Sequence, residues 1–356
     1  MSLSTTHSSK SHHSSDVSRR SFLATAGAAA GVAALGFAAP AAMGRSWQSG
    51  TGKGPVESPF DWVEVRPGCF ATTNDATGGN CLAVAGGGAL LVDTKFPAFA
   101  PQIARDVRAL TGSPVERVIN THHHGDHTGG NEGFSKDATI ITHANAKPRI
   151  RAQYEHFMQG INRGQRTVGR LEERYRAAIM DDIAGLLKNA EALKPESWMP
   201  TTTVGNGRTG FDLGGEWIEI VHFGRPSHTD NDVIVHLKGS NVIHTGDVVF
   251  SGVSPFFDVN GGADSAEWIE TLADIAALCD KDTVVVPGHG AVGGVEIVRA
   301  QSRYIEQLRE SVQKAIDAGT SLDELRPTVF PFMEGLGFEG LRKNGIEFVY
   351  NELIAG

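Results

Sequence analysis

The residues with the most chemical content lie in one short run, Thr121-His122-His123-His124-Gly125-Asp126-His127-Thr128-Gly129-Gly130-Asn131. Four imidazoles and one carboxylate fall within six positions there. These are the ligands that suit Zn²⁺, with Mn²⁺ and Fe²⁺ as competitors. Crowding histidines together is unfavourable without a reason, and a cation that binds neutral imidazole nitrogen supplies one. In extended chain His122 and His124 project to the same side, so His123 projects away and is not expected as a ligand. Gly125 allows a turn, which lets Asp126 and His127 face a second point in space. The Asp and the Gly-Gly-Asn tail set this run apart from a surface histidine string such as His12-His13.

The run follows a strand-like stretch, and such stretches recur along the chain. Segments rich in Val, Ile, Leu and Phe between Gly-rich turns predict strands over 62–66, 69–73, 81–85, 89–93, 116–120 and 139–142. The pattern resumes over 217–223, 233–237, 242–245 and 283–286. Helical spacing covers 101–110, 265–278, 295–318 and 345–354. Residues 144–192 are rich in Arg, Glu and Gln with few Gly or Pro breaks, which predicts two or three helices inserted at about 145–195. Strand-rich blocks before residue 150 and after residue 200 predict two packed sheets with helices outside, an α/β layer architecture.

Composition bounds the partners. The chain has 356 residues, 40% hydrophobic and 21% charged, which excludes a mostly disordered chain and a multispan membrane protein. Its net charge of −9 argues against a broad basic footprint, so a small-molecule substrate is expected and nucleic acid is not. The three cysteines, Cys69, Cys81 and Cys279, contain no CxxC, which excludes a cysteine zinc cage. Cys69 and Cys81 either face each other across a hairpin as a disulfide or are two buried small hydrophobes. At the start, Ser18-Arg19-Arg20-Ser21-Phe22-Leu23 precedes an Ala/Gly-rich run over 24–39. This resembles a twin-arginine export signal, with a small-residue cleavage site near Ala41 or Ala42. The run is short and weak for a stable membrane span. The expected organisation is a signal peptide over 1–42, a linker over 43–58 and one catalytic domain over 59–356. The implied route is the twin-arginine export machinery, and the implied location periplasmic or extracellular.

The pattern His122-x-His124-x-Asp126-His127 is a highly specific signature, and from about residue 60 to residue 300 the chain resembles the metallo-β-lactamase-fold hydrolase superfamily. The resemblance implies an αββα sandwich of two mixed β-sheets with helices on the outer faces and metal at the sheet edges. It also implies the remaining ligands. These are His228 in Phe223-Gly224-Arg225-Pro226-Ser227-His228-Thr229, Asp247 closing Val242-Ile243-His244-Thr245-Gly246-Asp247, and His289 in Pro287-Gly288-His289-Gly290. The implied set is His122, His124, His228 and Asp247 for one metal, and Asp126, His127, His289 and Asp247 for the other. Two Zn²⁺ are expected, with Fe or Mn as alternatives. The family chemistry is attack of a metal-bound hydroxide on a carbonyl carbon, with Asp126 orienting or deprotonating the water. Asp93 is expected either to hold a ligand's other ring nitrogen or to serve a strand-end turn, and Asp232 is expected to act likewise. Phe256 and Phe257 suit a pocket wall or core packing, His222 and His236 suit packing, and nothing makes His244 a ligand.

β-Lactamases of this fold usually carry Cys or Ser where this chain has Asp247. The bridging Asp looks more like thioesterases of the glyoxalase II kind and lactonases. An export signal and an acidic chain fit glyoxalase II itself poorly. The expectation is an exported dinuclear zinc hydrolase of a lactone, lactam or thioester. An iron-dependent oxidoreductase resembling persulfide dioxygenases is the alternative, against which an intact second site argues. A non-catalytic metal-binding accessory protein is the other, against which a complete ligand set argues.

Overall fold

The computed structural model describes residues 56–73 and 75–355. The expected export signal, its cleavage site and most of the 43–58 linker lie outside them. Among the described residues, twelve strands form two sheets. The first sheet runs in the order β1 (Trp62–Arg66), β2 (Cys69–Thr72), β3 (Cys81–Gly86), β4 (Gly88–Val92), β5 (Val115–Ile119), β6 (Thr139–His143) and β7 (Thr202–Val204). Its β1–β4 neighbours are antiparallel, and β4 to β7 pair in parallel. The second sheet contains β8 (Gly207–Asp212), β9 (Trp217–His222), β10 (Ile234–Leu237), β11 (Val242–Ser251) and β12 (Val284–Gly290). There β8 to β11 are antiparallel and β11 pairs β12 in parallel, so both sheets are mixed.

Alternation along the strands decides the layers. In β3, Leu82 and Val84 face the second sheet, where Ile218, Ile220, Val235 and Leu237 meet them. Cys81 and Ala83 face the opposite way, toward helices. The helices are α1 (Ala100–Thr111), α2 (Gly125–Thr128), α3 (Ala146–Ala152), α4 (Tyr154–Val168), α5 (Glu173–Lys188), α6 (Ser265–Leu278), α7 (Val295–Asp317), α8 (Leu322–Leu325) and α9 (Arg342–Ala355). Residues of α1 and α3–α5 cover the outer face of the first sheet, and residues of α6, α7 and α9 cover that of the second. The result is the expected αββα sandwich. Among the described residues no helix is long and apolar enough to cross a membrane.

Three features differ from the sequence expectation. The edge strands β7 and β8 were not anticipated, because their residues are largely polar and exposed and carry no apolar alternation. Strand β11 continues past Thr245 to Ser251 because β12 pairs alongside it, with irregular register around Gly246. Cys69 and Cys81 are both free and buried, and they do not form a disulfide. In the β2–β3 register Cys69 lies opposite Val84 and Cys81 opposite Thr72, and their side chains join different core layers.

The helices between β6 and β7 are anchored to the histidine run. Trp198 stacks on Phe157 of α4 with ring centroids 5.2 Å apart, and its Nε1–H donates to the Gly129 carbonyl at 2.7 Å. Asn131 Nδ2 donates to the Trp198 carbonyl at 3.2 Å.

Candidate metal centre

Each candidate ligand leaves the sandwich at one rim. The histidine run follows β5 and turns into α2, His228 lies in the β9–β10 connection, and Asp247 and His289 sit within the neighbouring strands β11 and β12. Strand ends are rigid supports for loop-borne groups, which is why residues far apart in sequence can meet here with defined geometry.

They meet in two groups. The rings of His122, His124 and His228 have centroids 4.6, 4.8 and 5.0 Å apart. Ligand atoms of these three and of Asp247 all lie within 4.8 Å of one another, and so do those of Asp126, His127 and His289. Asp247 stands between the groups. Its Oδ2 is 3.7 Å from His122 Nε2, 3.6 Å from His228 Nε2 and 3.6 Å from His289 Nε2, while Oδ1 is 3.1 Å from His127 Nε2. Asp126 Oδ2 lies 3.2 Å from His289 Nε2 and 3.7 Å from His127 Nε2. All seven residues anticipated from sequence are therefore together. Gly288 makes room for the central carboxylate: a Cβ there would sit 2.0 Å from Asp247 Oδ1.

The outward-facing ring nitrogens have partners that assign the tautomers. His122 Nδ1 donates to Thr121 Oγ1 at 3.0 Å, because that hydroxyl gives its own proton to Asp93 at 2.8 Å. His228 Nδ1 donates to the Phe256 carbonyl at 2.8 Å, and His124 Nε2 donates to Asp258 Oδ2 at 2.8 Å. His127 Nδ1 donates to Asp93 at 2.8 Å and His289 Nδ1 to Asp75 at 3.0 Å. With the rings neutral, every inward nitrogen then carries a lone pair. His228 Nε2 and His124 Nδ1 point at each other across 3.1 Å, which two lone pairs tolerate only with a cation or proton between them. His122 Nε2, His127 Nε2 and Asp247 Oδ1 are buried without a hydrogen-bond partner. Five lone pairs and two carboxylates converging in this way fit a pair of divalent cations.

The electrostatics agree. Burial drives His122 well below the usual imidazole range and takes His228 down to about 3, so both rings stay neutral. Burial opposes charge on His289 too, but Asp247, Asp126 and Asp75 outweigh it and raise its pKa to about 10. His127 is likewise raised, against its burial, by Asp247, Asp126 and Asp93. The second group thus demands positive charge.

Two orienting carboxylates lay beyond the sequence reading. Asp258 lies 134 residues from His124 and Asp75 lies 214 from His289, and neither occupies a motif. A carboxylate before a turn was the available signal, and it is too common to single them out. Asp93 does hold a ring nitrogen, that of His127 directly, and through Thr121 it also orients His122, so it serves one histidine of each group. Asp232 does not: it accepts from Thr229 N at 2.7 Å and Thr229 Oγ1 at 2.8 Å, bracing the turn beside His228. His123 joins neither of the two groups: its Nδ1 is 3.3 Å from Asn231 Oδ1 and its Nε2 is 3.4 Å from Asp258, so that with His124 and Asp258 it makes a third set of ligand-type atoms within 4.8 Å of one another. Phe256 flanks the site, its ring 5.7 Å from that of His124, whereas Phe257 is buried against Trp268 and Phe348. His222 stacks on His143, His236 is buried, and His244 bonds the Asn80 carbonyl at 3.2 Å.

Comparison with known proteins agrees with the geometry. The chain is 28% identical over 102 residues to a protein described as "Metallo-beta-lactamase type 2" of Bacteroides fragilis, covering 29% of this chain and 41% of that one. It is 25% identical over 231 residues to "Probable metallo-hydrolase YqjP" of Bacillus subtilis, covering 63% and 68%. A human protein described as "Acyl-coenzyme A thioesterase MBLAC2" is 24% identical over 193 residues, covering 53% and 62%. The matched stretches thus span less than two thirds of the Bacteroides and human proteins. The structure of a metallo-beta-lactamase from Pontibacter korlensis superposes with a TM-score of 0.50 at 18% identity, over 69% of this chain and 99% of that one, a likeness of fold. The family model described as Metallo-beta-lactamase superfamily matches residues 74–289, the span that holds all seven converging residues. On that match, and on a fold and a cluster that agree with it, the chain belongs to the metallo-beta-lactamase superfamily.

Proposed function

We propose that this protein is an exported dinuclear zinc hydrolase that adds water across the acyl bond of a lactone, lactam or thioester. His122, His124 and His228 would hold one cation, Asp126, His127 and His289 the other, and Asp247 both. The observation that carries the reading is the buried Asp247 carboxylate, which lies within 3.7 Å of an inward nitrogen from each group. When bound, two such cations act as Lewis acids toward water and toward the carbonyl oxygen.

The chain's own residues supply the rest. Asp93, Thr121, Asp258, Asp75 and the Phe256 carbonyl fix the ligand rings. Asp126 is the more exposed of the two central carboxylates, at 24% against 4% for Asp247. Its assigned role is to take a proton from the attacking water and return it to the departing alkoxide, amide or thiolate, which its greater exposure supports. No serine or cysteine nucleophile is required. Phe256 gives the mouth an apolar wall beside His124 and His228. Export is supported by the paired arginines Arg19-Arg20 before an apolar small-residue run.

The test is metal analysis of the untagged chain with a hydrolysis panel of lactones, β-lactams, thioesters and phosphodiesters. About two zinc ions per chain and turnover of an acyl substrate are expected. His124→Ala should lose both metal and turnover. A single iron per chain, or a His124→Ala variant with full metal and activity, would overturn the assignment.

A further inference from the structure

We propose that Lys95 is a positioning residue for the second cation site, acting through the loop 75–80 to fix how His127 and His289 meet. This rests on the dinuclear reading above.

The loop between β2 and β3 joins the two segments that carry the second group. Asp75 Oδ1 accepts from His289 Nδ1 at 3.0 Å and from Gly290 N at 3.4 Å. Gly79 N donates to the Asp126 carbonyl at 3.0 Å, and Asn80 N donates to the Gly288 carbonyl at 2.8 Å. Asn80 Nδ2 adds bonds to the Pro287 and Gly290 carbonyls at 2.8 and 2.9 Å. One side of the loop therefore holds Asp126 and the other holds the turn of His289.

The loop also rests on His127. A Cβ on Gly79 would fall 2.1 Å from His127 Cε1 and 2.4 Å from its Nε2, so the Gly79 backbone lies directly against the ring. With Asp93 holding Nδ1, the height of the Gly79 backbone decides where Nε2 points.

Lys95 sets that height. Its side chain is fully buried, which is costly for an amine unless its donors are used. Nζ donates to the Gly78 carbonyl at 3.2 Å and to the Gly79 carbonyl at 2.9 Å. Its own backbone is left-handed, with φ 58°, and its carbonyl accepts from Gly130 N at 3.1 Å. Its neighbour Thr94 N donates to the His127 carbonyl at 2.8 Å. Lys95 is thus tied by main chain to the histidine run and by side chain to the loop above it. The ring-orienting partners of the first group, Asp258, Thr121 and the Phe256 carbonyl, lie outside this loop.

Two effects of removing Lys95 have opposite signs. Deleting a nearby amine that repels cations would tighten metal binding. Releasing the loop would loosen it, by about 10- to 100-fold for a lost outer partner. The test measures Zn²⁺ affinity by competition with a chromophoric chelator for Lys95→Met. It is run in a His228→Ala background, where the second site is left, and in a His289→Ala background, where the first is left. At least about tenfold weakening is expected in the former and less than about twofold change in the latter. Unchanged or tighter binding in the His228→Ala background, or equal weakening in both, overturns the proposal. Lys95→Gln keeps donors in the pocket and should show the same preference with smaller size; it carries the test if Lys95→Met does not give a cooperative melt. A parent chain that binds fewer than two cations removes the dinuclear reading and this inference with it. A parent that binds two, with Lys95 variants unchanged, removes this inference alone.

Discussion

Asp258→Ala tests how far one carboxylate controls the first cation site. Asp258 accepts from His124 Nε2 at 2.8 Å, and its side chain is 12% exposed, so the bond is short, charge-assisted and shielded. Such bonds contribute about 1.5–3 kcal/mol. Without it the His124 ring is free to swing, and Nδ1 no longer has a fixed direction toward His228 and Asp247. If the whole of that energy is felt in metal binding, the affinity falls by about 10- to 140-fold. That matches the loss typical of a removed partner behind a metal-bound histidine, about 10- to 100-fold. Asp258→Asn keeps a neutral acceptor and should lose about half as much free energy. The assay is chelator competition on metal-free protein in the His289→Ala background, with kcat/KM measured in parallel on the parent. A thermal melt controls for the bond from Asn260 N to Asp258 at 3.1 Å, which also orders this turn. An Asp258→Ala variant whose affinity stays within about twofold of the parent would refute the reasoning.

Other outcomes follow from the same geometry. Gly288→Ala puts a methyl 2.0 Å from Asp247 Oδ1 and 2.6 Å from the Asp247 nitrogen and the Gly246 carbonyl carbon, so the central carboxylate and the main chain beside it must both shift. Metal content should fall and kcat should drop by about 100-fold, as for a 1 Å misplacement, with the overall secondary structure retained by circular dichroism. Trp198→Ala removes a fully buried indole and its bond to Gly129, and should destabilise the protein by about 3–5 kcal/mol in urea titrations. His222 is held down to about 4 by burial and by His143, so the unfolded chain takes up a proton that the folded chain refuses. Its contribution is complete above the ordinary imidazole range and is lost as pH falls from about 6.5 toward 4. His222→Gln should flatten that part of the stability–pH curve, and an unchanged slope would exclude this origin.

The converging residues were legible because their signals are local. Each lies on or shortly after a short apolar run, and the order of such runs matches one architecture. The sheet edges were not legible, since β7 and β8 owe their conformation to pairing rather than to apolar alternation. Asp93 was legible as a strand-end carboxylate, but its links to both groups, directly to His127 and through Thr121 to His122, depend on bonds that no spacing announces. Asp232 misled for the converse reason: its place beside His228 suggested a ring partner, and a local bond to Thr229 is what it makes.

By themselves, the residues determined which atoms could bind a cation and which segments would become strands, because both properties belong to a few neighbouring side chains. Tertiary structure alone decided that these atoms face one another, that Asp247 stands between two groups, and that Asp258, Asp75 and Lys95 lie behind them. Those relations require chain segments up to 214 positions apart to be packed against a common rim, and the direction of a ring nitrogen is set by whichever buried partner that packing brings to its other side.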